Sequence, residues 1–70
     1  MPDVEAHITG TVWKIEVREG DLVTEGQVLV IIESMKMEMP VESPRAGKVD
    51  KVHVAESQAV SEGETLVTLL

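Results

Sequence analysis

Apolar and polar residues along this chain fall into short runs that alternate with turn signals. Nowhere does the i, i+3, i+4, i+7 spacing of an amphipathic helix persist over three turns. The pattern predicts strands over Val4 to Ile8, Gly10 to Val17, Leu22-Val23, Val28 to Glu33, Met37 to Glu42, Lys48 to Val54, Ala59-Val60 and Thr65 to Leu69. Turns are predicted at Gly10, Glu19-Gly20-Asp21, Glu25-Gly26, Pro44 to Gly47 and Glu62-Gly63. Inward parity changes between Val12 and Ile15, which predicts a bulge or bend there. Pro44 lacks the N–H of a ladder and ends the strand that begins at Met37. The chain reads as all-β.

A shift of 37 residues lays Gly10 to Glu33 over Gly47 to Leu70 without a gap. Ten of the 24 positions are identical: Gly10/Gly47, Val12/Val49, Lys14/Lys51, Val17/Val54, Glu19/Glu56, Val23/Val60, Glu25/Glu62, Gly26/Gly63, Leu29/Leu66 and Val30/Val67. Each copy is too small to bury its apolar face alone, so the two are expected to close on one another about an approximate two-fold axis. The expected fold is a flattened β-barrel or sandwich of two quasi-symmetric four-stranded halves. Core candidates are Val12/Val49, Ile15/Val52, Val17/Val54, Val23/Val60, Leu29/Leu66 and Ile32/Leu69. Trp13 matches Asp50 in the repeat, so it is expected to be partly exposed rather than a core anchor, with contact to a partner as the alternative. In the second copy Ser57-Gln58 stands where the first has Gly20-Asp21, which calls for another turn type or for strain.

The same symmetry singles out one lysine. The residues between Val28 to Glu33 and Met37 to Glu42 read as a hairpin tip centred on Lys36. Its repeat mates fall just outside either end of the chain. Lys36 is therefore expected at one end of the molecule, with the chain termini together at the other.

Composition narrows the chemistry. The 70 residues make one domain, spanning 1–70, with a formal net charge of −7 and no cysteine. Disulfides and thiolate metal sites are excluded, and the composition suits the reducing cytosol. No apolar run is long enough to span a bilayer, and the N-terminus lacks the basic start and apolar stretch of a signal peptide. A cytoplasmic, monomeric domain with no membrane partner is expected. Acidity and a single aromatic residue argue against nucleic acid, whose recognition rests on clustered bases and stacking platforms. His7 and His53 have no recognisable ligand spacing, and no serine has an evident base, so neither a metal site nor catalytic residues are expected. Taken alone, Lys36 would be an ordinary solvated turn lysine.

Its surroundings say otherwise. Glu33-Ser34-Met35-Lys36-Met37-Glu38 resembles the biotin attachment motif of biotin carboxyl carrier domains, usually written E-A/S-M-K-M. Gly10-Thr11-Val12, Gly20-Asp21, Glu25-Gly26-Gln27-Val28-Leu29, Pro44 and Gly47 match as well, so the resemblance covers essentially the whole chain. Ala6 to Gly10 lacks the prolines common before the first glycine, and the chain is too short for a thumb insertion; it looks like the minimal, thumbless type. The resemblance implies a lysine on an exposed hairpin, biotinylated by a biotin protein ligase. It implies that the biotin arm shuttles carboxyl groups between biotin carboxylase and carboxyltransferase components, the chain itself being a non-catalytic carrier.

On this resemblance Lys36 bears covalent biotin, while Met35, Met37, Glu33, Ser34 and Glu38 mark the hairpin for the ligase and partners. The lysine stem and biotin's valeryl chain would make an arm of roughly 14 Å, about ten bonds. Two alternatives stand beside this reading. A lipoyl carrier shares the fold and the tip lysine but usually carries Asp-Lys-Ala, so Met35 favours biotin. An unmodified β-barrel interaction module would leave Lys36 merely exposed.

Overall fold

Each copy of the repeat folds as the same series of antiparallel strands. The computed structural model describes residues 3–70. The strands are β1 (Asp3–Glu5), β2 (Gly10–Ile15), β3 (Leu22–Val23), β4 (Val28–Ser34), β5 (Met37–Glu42), β6 (Gly47–Val52), β7 (Ala59–Val60) and β8 (Thr65–Leu69). They form two four-stranded sheets, ordered β1-β8-β6-β3 and β5-β4-β2-β7. A shift of 37 residues, forward for β4 and β2 and backward for β5 and β7, turns the second sheet's order into the first. The architecture is a sandwich of two facing sheets rather than a closed barrel.

The register is as symmetric as the order. Val12 pairs with Ile32 and Lys14 with Ile31, just as Val49 pairs with Leu69 and Lys51 with Thr68. In both copies one residue is skipped, Trp13 in the first and Asp50 in the second. These are the bulges that the parity change predicts. Glu19 and Glu56, identical in the repeat, serve the two bulged strands from across the molecule. The Ile15 N–H donates to Glu56 Oε2 at 3.2 Å and the Val52 N–H to Glu19 Oε2 at 3.4 Å.

Neither sheet belongs to one copy. β3 comes from the first repeat yet pairs with β6, and β7 comes from the second yet pairs with β2. The link is completed by Gly20 N–H donating to Val49 O at 2.8 Å and Ser57 N–H to Val12 O at 2.7 Å. The halves are interlocked through this exchange.

Inward side chains from both sheets make a core of small aliphatics. Val12/Val49, Val17/Val54, Val23/Val60, Leu29/Leu66 and Ile32/Leu69 are buried as expected. Ile15 and Val52 are not core: both are half-buried and pack against its edge, because each ends its strand just past the bulge. Val30/Val67 and Val4/Val41 are buried and were not among the candidates. Some boundaries also move. The first strand is Asp3–Glu5 rather than Val4 to Ile8, and the chain beyond it is held by Ala6 N–H donating to Glu64 O at 2.9 Å. β2 and β6 stop at Ile15 and Val52, two residues earlier than expected, although Val17 and Val54 still turn inward.

The glycine-free turn settles on strain. Gly20 has φ of 93° and its mate Ser57 has 74°, so serine keeps the left-handed conformation that glycine adopts freely. A Cβ at Gly20 would meet nothing within 4 Å, so the cost at Ser57 is backbone strain rather than crowding. Ser57→Gly is therefore expected to stabilise the domain by about 1 kcal/mol, net of the extra freedom glycine has when unfolded. For a domain this small that is a rise in Tm of roughly 5 °C, read by thermal melting.

Candidate functional site

The β4–β5 hairpin projects from a strand, β4, that is braced on both sides. It pairs with β2 and with β5, while β5 itself is an edge strand that tolerates Pro40. The ladder runs Ile31 to Pro40, Ile32 to Met39, Glu33 to Glu38 and Ser34 to Met37. Two residues remain for the turn, Met35 and Lys36. Their φ values are 52° and 66°, both positive, as a type I′ hairpin turn demands. Met35 is thus half of the turn rather than a strand-end side chain.

Glycine and asparagine are the usual occupants of such a turn. Here both places hold long, unbranched side chains at about 1 kcal/mol each of left-handed strain. The conformation persists because six cross-strand pairs behind it fix the register of the hairpin. The result is that two adjacent side chains leave the tip into solvent. Met35 is 92% exposed, Met37 is 62% exposed, and Lys36 is exposed between them.

Beneath the tip the flanking residues sort by face. Glu33 and Glu38 are cross-strand partners, both exposed, on the outer face of the sheet. Like charges directly opposite one another cost a few tenths of a kcal/mol, so their pairing does nothing for the hairpin itself. Ser34 is half-buried opposite Met37, towards the inner side. All six residues of Glu33-Ser34-Met35-Lys36-Met37-Glu38 are brought together at one end.

That end lies away from Leu70. β5 carries the chain from the tip through six residues, about 20 Å at strand rise. It leads to Ser43, Pro44 and Arg45, and the Arg45 guanidinium donates from Nη2 to the Leu70 carbonyl at 2.6 Å. Asp3 pairs with Thr68 at that same end. The Cα extents are 31 × 18 × 17 Å, so a six-residue strand of about 20 Å separates the tip from Arg45 and the Leu70 carbonyl it holds by more than the molecule's width.

Little else among the described residues is arranged for chemistry. They form no pocket and no group of three or more His, Cys, Asp or Glu able to hold a metal ion. No helix is long and apolar enough to cross a membrane. What the hairpin tip provides is one exposed primary amine, that of Lys36, on a paired two-strand support. Such a site suits covalent attachment of a cofactor through its carboxyl group.

Comparison with known proteins agrees with the hairpin. A Mycolicibacterium smegmatis protein named biotinylated protein TB7.3 homolog is 54% identical over 39 residues, which are 56% of this chain and 55% of that protein. The Bacillus subtilis biotin/lipoyl attachment protein is 42% identical over 43 residues, 61% of this chain and 59% of that one. The fold matches part of the Kluyveromyces lactis urea carboxylase crystal structure with a TM-score of 0.93 at 32% identity. That match covers 99% of this chain and 6% of the much longer enzyme. The model of the biotin/lipoyl family, described as "Biotin-requiring enzyme", matches residues 1–69, and the chain belongs to that family.

Proposed function

We propose that this domain carries biotin in amide linkage on Lys36 and presents it to the catalytic components of a biotin-dependent carboxylase or decarboxylase. The observation that supports the reading best is the two-residue turn that holds Lys36 out between Met35 and Met37, away from Leu70. Family membership and the relatives' names point the same way.

The chain's part in acylation is presentation. An alkylammonium has no lone pair, so the ligase must take its proton before the amine reacts. Nζ then bonds to the carboxyl carbon of biotinyl adenylate, AMP leaves with the electrons of the acyl–oxygen bond, and the second proton lost by the nitrogen also passes to the ligase. The tip places Nζ roughly 6 Å beyond the backbone, five bonds from Cα, within reach of a macromolecular active site. Biotin, when attached, supplies the ureido nitrogen that takes up and releases a carboxyl group. A tether on a fixed hairpin keeps that group at high effective concentration around both catalytic sites.

Co-expression with a biotin protein ligase followed by fragment mass analysis tests the reading. The peptide containing Lys36 is expected to carry the mass of one amide-linked biotin. Lipoate on the same residue, or an unmodified peptide, would contradict it.

A further inference from the structure

The duplication supplies an internal control for the surface. On the lysine-bearing sheet, Trp13 and Lys14 lie between inward-facing Val12 and Ile15, so the bulge turns both outward. Ile31 and Pro40, partners in the ladder, complete the middle row of that outer face. In the other sheet the same places hold Asp50, Lys51, Thr68 and Asp3. That face is polar and self-satisfied. The Thr68 hydroxyl donates to Asp3 Oδ1 at 2.9 Å and lies 2.7 Å from His53 Nε2.

The fold accepts aspartate and threonine at these positions, so it does not require an indole and an isoleucine. Trp13 is nonetheless 48% exposed on the lysine-bearing side. Lys14 stands in the same row opposite Ile31, and around the row stand four exposed carboxylates, Glu33 and Glu38 towards the tip, Glu16 and Glu42 on the far side. The complement is an apolar surface edged by Lys and Arg, the usual anatomy of a protein interface with matched charge.

We propose that this outer face, centred on Trp13, Ile31 and Pro40, is the docking surface for the biotin protein ligase that acylates Lys36; the proposal rests on Lys36 being the attachment residue. Reach selects the ligase among the partners. Before modification the amine extends only about 6 Å from the backbone, so the enzyme must bring its active site down to the hairpin and the sheet beside it. After modification the arm extends roughly 14 Å, and a carboxylase site is reached without covering the sheet. Glu33 and Glu38 belong to both the hairpin and the rim, so a ligase seated on the tip runs directly onto this face.

The test is steady-state biotinylation of the full chain by a biotin protein ligase with ATP and biotin, the domain being the varied substrate. Trp13→Asp, the residue of the other copy, is expected to raise KM about tenfold with kcat within about twofold, as for loss of an interface tryptophan. Leu22→Asp makes the same apolar-to-acidic change on the other sheet's outer face, where Leu22 is 79% exposed, and is expected to leave KM unaltered. Glu42→Lys is expected to raise KM and flatten its salt dependence, which reads the same surface if Trp13→Asp does not melt cooperatively. Unaltered KM in folded Trp13→Asp, or in Glu42→Lys where that variant is the one read, overturns the docking face while labelling of the parent chain upholds the carrier reading. Failure to label the parent chain overturns both.

Discussion

Arginine in place of lysine at the hairpin tip is expected to leave the domain folded and to abolish its biotinylation. Lys36 makes up half of a two-residue turn, and its side chain is in solvent, so the fold asks of it only a positive φ. Arginine meets that demand as well as lysine does, and Tm is expected to move by no more than a degree or two, within the ±0.5 kcal/mol of ordinary surface changes. Chemically the two differ completely. The guanidinium stays protonated and delocalised, with no lone pair for an acyl carbon. Loss of streptavidin-detected signal with an unchanged melting curve is the expected pair of results. Persistent labelling would place the attachment elsewhere, on Lys14, Lys48 or Lys51.

The largest loss of stability is expected from adding one methyl group, at Gly10. A Cβ there would collide with the Glu33 carbonyl oxygen and come within 2.8 Å of Ile32 Cγ2. Both obstacles belong to β4, which is held between β2 and β5, and Ile32 is fully buried. Neither can yield cheaply. Gly10→Ala is expected to cost about 2–3 kcal/mol, the range for overpacking a close-packed site. That is a large share of the roughly 3–10 kcal/mol available to 70 residues. Gly47 provides the comparison. Its added Cβ would meet Arg45 Nη1 at 3.1 Å and the Leu70 carbonyl at 3.5 Å, one a mobile side chain and the other the last residue. Gly47→Ala is expected to cost under about 1 kcal/mol, and urea denaturation of the two variants measures the difference.

Much of the fold was legible because the chain states its pattern twice. Apolar runs between turn signals set out the strands, the parity change marked the bulge after Val12, and the 37-residue repeat left Lys36 without a mate. What stayed hidden has physical causes. Leu29 and Val30 both face inward because the register slips between Val28 and Val30, and simple alternation turns one of them outward. Val4 and Val41 are repeat mates as well, but they precede the glycines that anchor the alignment. The two-residue strands β3 and β7 carry too little pattern to reveal which sheet they join. The apolar row of Trp13, Ile31 and Pro40 was invisible for a related reason: it exists only once the bulge has turned Trp13 to the face that Ile31 and Pro40 share.

The Glu33-to-Glu38 motif was legible in its members and not in its geometry. Nothing in the letters says that Met35 and Lys36 alone span the turn, or that both accept a left-handed backbone. Ser57 shows the same limit from the other side. A serine in place of glycine allowed either a new turn or a strained old one, and the hydrogen bond from its N–H to Val12 O holds it to the old one.

The exchange of β3 and β7 between sheets bears on ancestry. A lone copy of the repeat would extend an unsatisfied short strand, and a second identical molecule would offer the edge it fits. Two such peptides would swap arms into a homodimer, and the present chain has the form of two such protomers joined in tandem. In such a dimer each protomer would raise an identical loop at opposite poles. Joining the protomers in tandem keeps one such loop, the turn of Met35 and Lys36, without a counterpart inside the chain.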